Sequence, residues 1–265
     1  MRRLPRTEEG RVRRLLHAEW TKLRTLPGSG WLVLALVVVT VAVSVAAAAV
    51  VSCAPGGCAY DPAKIGLFGV QAGQAVVAVA AVAMISGEFG TGMIRTTLAA
   101  MPGRIAVLAA KAAVLTGLTL AAGSVAVLAS ALAGGQVLAG NGFTTEQLAL
   151  TSGPMLRAAC GSVLYLVLVA LLSLGLATAV RDSVTAVGLV LGLLYLFPAV
   201  ILMAPDPAVG EFLWKLSPMN AGLAIQATTH LASLPLSPWA GLGVTAAWAG
   251  AAMAGGGLLL RARAV

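Results

Sequence analysis

Six long apolar stretches limit what this chain of 265 residues can fold into. Five of them contain no charged residue, and the remaining one, the longest, carries only Lys111. They cover residues 31–52, 65–86, 105–133, 158–180, 184–204 and 239–260. A helix needs ~20 mostly apolar residues to cross a bilayer, where only an internally hydrogen-bonded backbone is stable. The pattern predicts an all-α polytopic integral membrane protein with six transmembrane helices.

The composition argues against a soluble globule. Charged residues make up 10% of the chain, against ~25% in a typical soluble domain. The net charge of +8 is no sign of nucleic-acid binding, because eight of the 17 Lys and Arg lie between Arg2 and Arg24, ahead of an apolar run. A nucleic-acid site needs basic residues on a folded, water-exposed face. The expected partner is therefore the lipid bilayer and not nucleic acid.

The basic residues also predict domain organisation and orientation. We expect a cytoplasmic basic N-terminus at 1–30, a transmembrane domain at 31–260 and a cytoplasmic tail at 261–265. Placing both termini inside puts 14 of the 17 Lys and Arg on the cytoplasmic side, as the positive-inside rule requires. The first apolar stretch is longer than the core of a signal peptide, so we expect a retained anchor.

The N-terminal region predicts an amphipathic elbow helix lying on the inner membrane surface. Apolar residues recur at helical spacing between Gly10 and Leu26, with basic residues opposite them. Glu19 falls inside the apolar stripe, where a carboxylate is costly unless it is paired. The helix is interpreted either as a positive anchor that sets topology or as an elbow that also contacts a cytoplasmic partner.

The segment between the second and third stretches predicts a short helix ended by Pro102 and Gly103. It mixes apolar side chains with few charges, which favours docking to a cytoplasmic partner over a solvated connector. Lys111 lies about two turns beyond Arg104. Snorkelling to the inner surface is the favoured interpretation of Lys111, and a buried pair with Glu88 is the alternative.

The chain lacks the motifs of a self-contained pump or enzyme. None of its four lysines follows a glycine, so no phosphate-binding P-loop is present. His17 and His230 belong to no zinc-binding motif. Serines within the spans are expected to bond to their own backbone or to a neighbouring helix, and not to serve an intramembrane protease. We therefore predict no catalytic residue, no metal and no cofactor bound by this chain.

Two motifs resemble the ABC-2 type permease family, most closely its small six-span members from high-GC bacteria. They are Glu19-Trp20-Thr21-Lys22-Leu23-Arg24 and the run from Ile85 to Leu98, ISGEFGTGMIRTTL. The resemblance implies a bacterial inner-membrane permease paired with a separate ATPase that uses ATP and Mg, and with a second permease copy, identical or related. It also implies an elbow with Glu19, Trp20, Lys22 and Arg24, and a coupling loop with Glu88, Phe89, Thr91, Arg95 and Thr96.

The expected function is that of the permease subunit of an ATP-driven exporter. Few charges lie within the spans, which argues against an ion pore and favours a hydrophobic or amphipathic substrate. The alternatives are a non-transporting membrane anchor or assembly protein and, less favoured, a membrane-embedded enzyme.

Four features concern the outer side and the helix contacts. Cys53 and Cys58 flank a Pro-Gly turn and form either a disulfide, two free thiols or a metal site, whereas Cys160 should behave as a small apolar residue. Gln71 and Gln74 share a helical face and either line a polar path or bond neighbouring helices. The spacing of Gly188 and Gly192 favours packing within the chain. Residues 205–238 predict short helices at the outer interface, with Trp214 in the aromatic belt. The family resemblance implies that such helices are re-entrant, and they either close an outer gate or only cap the bundle.

Overall fold

The computed structural model describes residues 21, 27–53, 60–90, 103–144, 148–203 and 205–262. Over these residues the chain is all-α and has no strand, and it contains six helical segments long and apolar enough to cross a membrane. The six are α1 (Pro27–Ala49), α3 (Val70–Gly90), α4 (Arg104–Gly140), α5 (Gly153–Val180), the combined α6 (Ser183–Leu191) and α7 (Phe197–Leu202), and α10 (Pro238–Ala262). The predicted fold class, a polytopic membrane protein, is confirmed. The predicted elbow helix lies outside the described residues except for Thr21.

The second span starts later than the apolar pattern predicts. Pro62–Gly66 forms a separate short helix, α2, and α3 begins only at Val70. At the bend between them, the Gly69 N–H donates to Ser44 Oγ at 2.9 Å. A Cβ at Gly69 would overlap the Thr40 carbonyl oxygen, so only glycine permits this contact. Hydropathy does not detect the break because both sides of it are apolar.

The third span is longer than predicted. It continues past residue 133 to Gly140, so α4 has 37 residues. At 1.5 Å per residue that is about 55 Å, well beyond the ~30 Å hydrocarbon core. The Asn141 side-chain amide follows the helix and donates to the Ala48 and Val51 carbonyl oxygens, both at 3.0 Å. This end of α4 is therefore tied to the end of α1.

The fifth span is interrupted at Pro198. A π-helical turn, Gly192–Leu196, joins α6 to α7, and Pro198 lies in the first turn of α7. Proline has no N–H and its ring clashes with the carbonyl four residues earlier, which a wider turn relieves. A Cβ at Gly188 or at Gly192 would meet nothing within 4 Å. The prediction that these two glycines pack within the chain is therefore wrong.

Helix α5 is the centre of the bundle. Of its most apolar stretch 67% is buried, against 22% for α1 and 17% for the α6–α7 span. A Cβ at Gly175 would overlap the Ala252 carbonyl carbon, and one at Gly256 would lie 2.5 Å from the Gly175 oxygen. Small residues let membrane helices approach closely enough for van der Waals packing to hold them. Gly175 and Gly256 allow this approach between α5 and α10.

The segment before the last span is partly superficial and partly inserted into the bundle. Helix α8 (Pro207–Leu216) exposes Phe212, as an interfacial helix does. Helix α9 (Pro218–Leu223) and the 3-10 turn Ala224–Gln226 are instead mostly buried. The interfacial placement predicted from the side chains fits α8 but is wrong for α9 and the turn, because these pack between spanning helices, as re-entrant segments do.

The two ends of the bundle differ in composition. The basic end, as we call it, contains the ends of α3, α5 and α10 and the starts of α4 and α6, with Arg104, Lys111, Arg181 and Arg261. The opposite end contains α2, α8 and α9.

Candidate functional site

A buried ion pair lies at the basic end, where α3 ends and α4 begins. Lys111 Nζ lies 2.9 Å from Glu88 Oε1, and both side chains are almost completely buried. Glu88 is in the last turn of α3, and Lys111 lies two turns inside α4. Snorkelling of Lys111, the favoured interpretation of the sequence, is therefore wrong. The alternative, a pair with Glu88, is what the structure shows.

A second contact links the end of α3, next to this pair, to α5. The guanidinium carbon of Arg181 lies 5.5 Å from the centre of the Phe89 ring, which is a cation–π distance. Arg181 follows the last residue of α5 in a left-handed conformation with φ of 65°. Its N–H donates to the Ala177 carbonyl oxygen at 2.9 Å. The left-handed turn after α5 thus places the guanidinium beside the end of α3.

A third contact joins α4 to α10. Arg104 Nη1 donates to the Leu260 carbonyl oxygen at 2.8 Å, where α10 nears its end. Cationic groups at a helix C-terminus satisfy the last carbonyl oxygens and complement the helix dipole. The ends of α3, α5 and α10 and the start of α4 are therefore held together at the basic end.

The predicted coupling loop starts and ends at these anchored helices. Glu88 and Phe89 are described, and both contact neighbouring helices. Thr91, Arg95 and Thr96, and the elbow residues Glu19, Trp20, Lys22 and Arg24, lie outside the described residues. The structure thus describes the two helix ends that flank 91–102.

Gln71 and Gln74 have different environments although they are three residues apart. Gln74 is fully buried, accepts a hydrogen bond from Tyr165 OH and donates to Met219 Sδ at 3.2 Å. The backbone oxygen of Gln71 accepts a bond from Tyr195 OH, and Gln71 is one of the residues that line a groove. Of the two interpretations, helix bonding describes the contacts of Gln74, whereas Gln71 borders the groove.

At the opposite end, Asp61 holds the segment before the last span in place. Its carboxylate accepts bonds from Thr228 Oγ1 at 2.7 Å and from the Thr229 N–H at 2.9 Å. Partial burial opposes the ionised form, but these hydrogen bonds outweigh burial and lower the pKa of Asp61 below its usual value. Asp61 also caps α2, so one carboxylate connects two elements distant in the chain.

The groove beside Gln71 has a volume of about 530 Å³. It lies among the end of α1, α2, the start of α3, and the segment from α8 to the 3-10 turn. Its walls are mostly apolar, with Lys64, Gln71, Asn220 and Gln226 as the polar residues. The sequence does not predict this groove. Lys64 and Gln71 are close together in the chain, but the wall formed by α9 comes from a distant part of it.

Two of the three cysteines are described, and they differ in state. Cys53 is disulfide-bonded, whereas Cys160 in α5 is a free cysteine. Cys58, the predicted partner of Cys53, lies outside the described residues. Among the residues that the structure describes, no three His, Cys, Asp or Glu side chains are grouped to hold a metal ion.

Comparison of the sequence with protein-family models and with curated proteins finds no match.

Proposed function

We propose that this chain is the permease subunit of an ABC-2 type transporter that exports a hydrophobic or amphipathic substrate across the bacterial inner membrane. The observation that carries this proposal is the buried pair between Glu88, at the start of the predicted coupling loop, and Lys111 in α4. The resemblance of the flanking sequence to the ABC-2 type permeases supports the same function.

The pair gives the loop a rigid attachment to the bundle. Separating the two opposite charges of a buried ion pair is strongly unfavourable at low dielectric. A force applied to the loop is therefore transmitted to α3 and α4 together. The contact between Phe89 and Arg181 passes the same displacement to α5 at the centre of the bundle.

The energy comes from a partner in this mechanism. A separate ATPase binds ATP and Mg, docks on the elbow and the coupling loop, and drives alternating exposure of a path between two permease copies. The second copy is identical or related. In this arrangement the basic end faces the cytoplasm, and both termini lie on the same side. The positive-inside rule favours this orientation, because Lys and Arg are concentrated on that side.

The proposal is tested by identifying the proteins that co-purify with the tagged chain in mild detergent from its native host. We expect near-stoichiometric recovery of a P-loop ATPase with the wild type and weakened recovery with Glu88→Ala and Arg95→Ala, with the ATPase measured per molecule of permease that is recovered folded. Glu211→Ala is the matched control, because Glu211 forms an exposed pair with Lys215 at the opposite end. Reproducible absence of any ATPase, under conditions that preserve a known transporter complex, would favour the membrane-anchor function.

A further inference from the structure

The groove at the opposite end has the chemistry of a binding site. Its volume of about 530 Å³ lies within the range of small-molecule sites, roughly 300–1,000 Å³. Such sites are mostly apolar with a few polar groups that orient the ligand. The walls here follow that pattern, and their apolar residues are Ala47, Val50, Val51, Ile65, Phe68, Trp214, Met219, Leu223 and Ala224.

The charge at the groove is positive. Lys64 is the one charged side chain among the described residues that line it, and it is exposed. Lys64 forms no salt bridge with any part of the chain that the structure describes. The nearest acid in sequence, Asp61, is bonded to Thr228 and Thr229. An anion at the mouth would therefore meet an available ammonium group.

The polar groups of the groove differ in exposure: Lys64 lies at the solvent-exposed edge, which we call the mouth, and Gln226 lies in the buried wall. Lys64 lies on α2, outside the spanning helices, whereas Gln71 lies in the first turn of α3. Gln226 is buried and its amide nitrogen is already bonded to Ser162 Oγ at 3.0 Å. The groove thus combines a cationic mouth with a largely apolar interior, and Trp214 in its wall is a residue typical of the membrane interface.

We propose that this groove binds an anionic amphiphile with a single acyl chain, drawn from the membrane. The anionic head pairs with Lys64, and the acyl chain lies against Phe68, Trp214 and Leu223. The volume lies in the lower half of the small-ligand range, which favours one acyl chain over two. The site does not depend on transport, so it stands or falls separately from the proposed function.

Trp214 provides a direct probe, because bromine atoms quench tryptophan fluorescence on contact. We would titrate the full-length protein in neutral detergent with dibromostearate and, for comparison, with its uncharged methyl ester. The expected result is saturable quenching by dibromostearate that is lost in Trp214→Phe. Lys64→Gln should weaken the apparent affinity for the acid about tenfold, the effect of losing one charge-assisted hydrogen bond. The affinity for the ester should not change.

Two pairs of variants separate the site from general effects. Lys215→Gln removes a charge next to Trp214 in sequence but outside the groove lining, and it should bind like the wild type. Ala47→Phe fills the groove and should abolish saturable quenching, whereas Ala46→Phe changes an exposed position of the same helix outside the lining and should not.

Several results would overturn the proposal. One is an equal affinity of the wild type for the acid and the ester. Another is saturable quenching that survives in Trp214→Phe or in Ala47→Phe. A third is displacement of dibromostearate by acetate alone. Light scattering is the remaining test. If Ala47→Phe converts an oligomer into a monomer while Ala46→Phe does not, the groove is an interface between copies of this chain.

Discussion

At the scale of single residues, the Glu88–Lys111 pair dominates the chemistry of the described part of the bundle. The sequence predicts that Lys111 lies near the inner surface, and from there both snorkelling and pairing are possible. Helical periodicity cannot decide between them, because the partner is on another helix. The end of α3 and the start of α4 meet at the basic end and bring the two groups within 2.9 Å, and burial makes their pairing strongly favourable.

Replacing one member of this pair should destabilise the protein strongly. We expect Lys111→Met to lower the free energy of unfolding in detergent by about 3–5 kcal/mol, because it removes one partner of a buried ion pair. The double variant Glu88→Gln with Lys111→Met should lose less than the sum of the two single changes. Lys215→Met, which breaks an exposed pair, should cost at most about 1 kcal/mol. Additive losses in the double variant would show that the pair is not coupled.

The hydroxyl of Tyr165 should also contribute to stability. It is fully buried and donates to Gln74, so Tyr165→Phe leaves a buried amide oxygen without this donor and should cost about 1–3 kcal/mol in unfolding experiments. Tyr60 is 59% exposed, and Tyr60→Phe should change stability by no more than about 0.5 kcal/mol. Equal stability of the Tyr165 variant and the wild type would mean that this bond contributes nothing.

At the scale of elements, hydropathy locates the six spans but misplaces several of their boundaries. The apolar stretch at 65–86 runs through the end of α2 and into α3 without a break, because the bend at Gly69 depends on contact with Thr40 and Ser44 of α1. The end of α4 at Gly140 is likewise held by contact with α1. A sequence pattern records which residues tolerate hydrocarbon, and it contains no information on such contacts between elements.

The close contact of α5 with α10 predicts that a larger side chain on α10 destabilises the protein at Gly256 but not at Gly250. Gly256→Leu would force a side chain into the backbone of α5 and should destabilise the fold by about 3 kcal/mol. Gly250→Leu adds the same side chain to the same helix, where nothing lies within 4 Å, and should be tolerated. Thermal unfolding of both purified variants gives the comparison. Equal unfolding temperatures would argue against tight packing at Gly256.

The link between Asp61 and residues 228 and 229 should depend on pH. Its folded pKa is below the unfolded value, so the ionised carboxylate stabilises the connection above the unfolded pKa, about 3.9. That stabilisation is lost as the pH falls through the folded pKa. Hydrogen exchange at the amides of Thr228 and Thr229, corrected for intrinsic rates, should accelerate on acidification in the wild type. Asp61→Asn should remove the pH dependence, and a persistent dependence in this variant would assign it to another group.

At the scale of the whole molecule, the proposed orientation can be tested directly. We expect an impermeant maleimide to label Ser233→Cys in intact cells, because Ser233 is exposed at the opposite end, which faces outward in this orientation. Ser183→Cys at the exposed start of α6 should be labelled only after the membrane is opened. Both substitutions are made in a chain that also carries Cys160→Ser, because Cys160 is a free cysteine that the maleimide could label. The Cys160→Ser chain without an added cysteine gives the background labelling. The reverse pattern would invert the topology.

The sequence by itself determined the class of this protein, because long uncharged apolar stretches have few stable alternatives to spanning helices. It also determined the concentration of positive charge near one end of the bundle. Only the tertiary structure decided the partner of Lys111, the different roles of Gln71 and Gln74, and the existence of the groove. Each of these depends on contacts between residues far apart in the chain, and the physical reason is that hydropathy is a property of single segments, whereas pairing and cavities are properties of their packing.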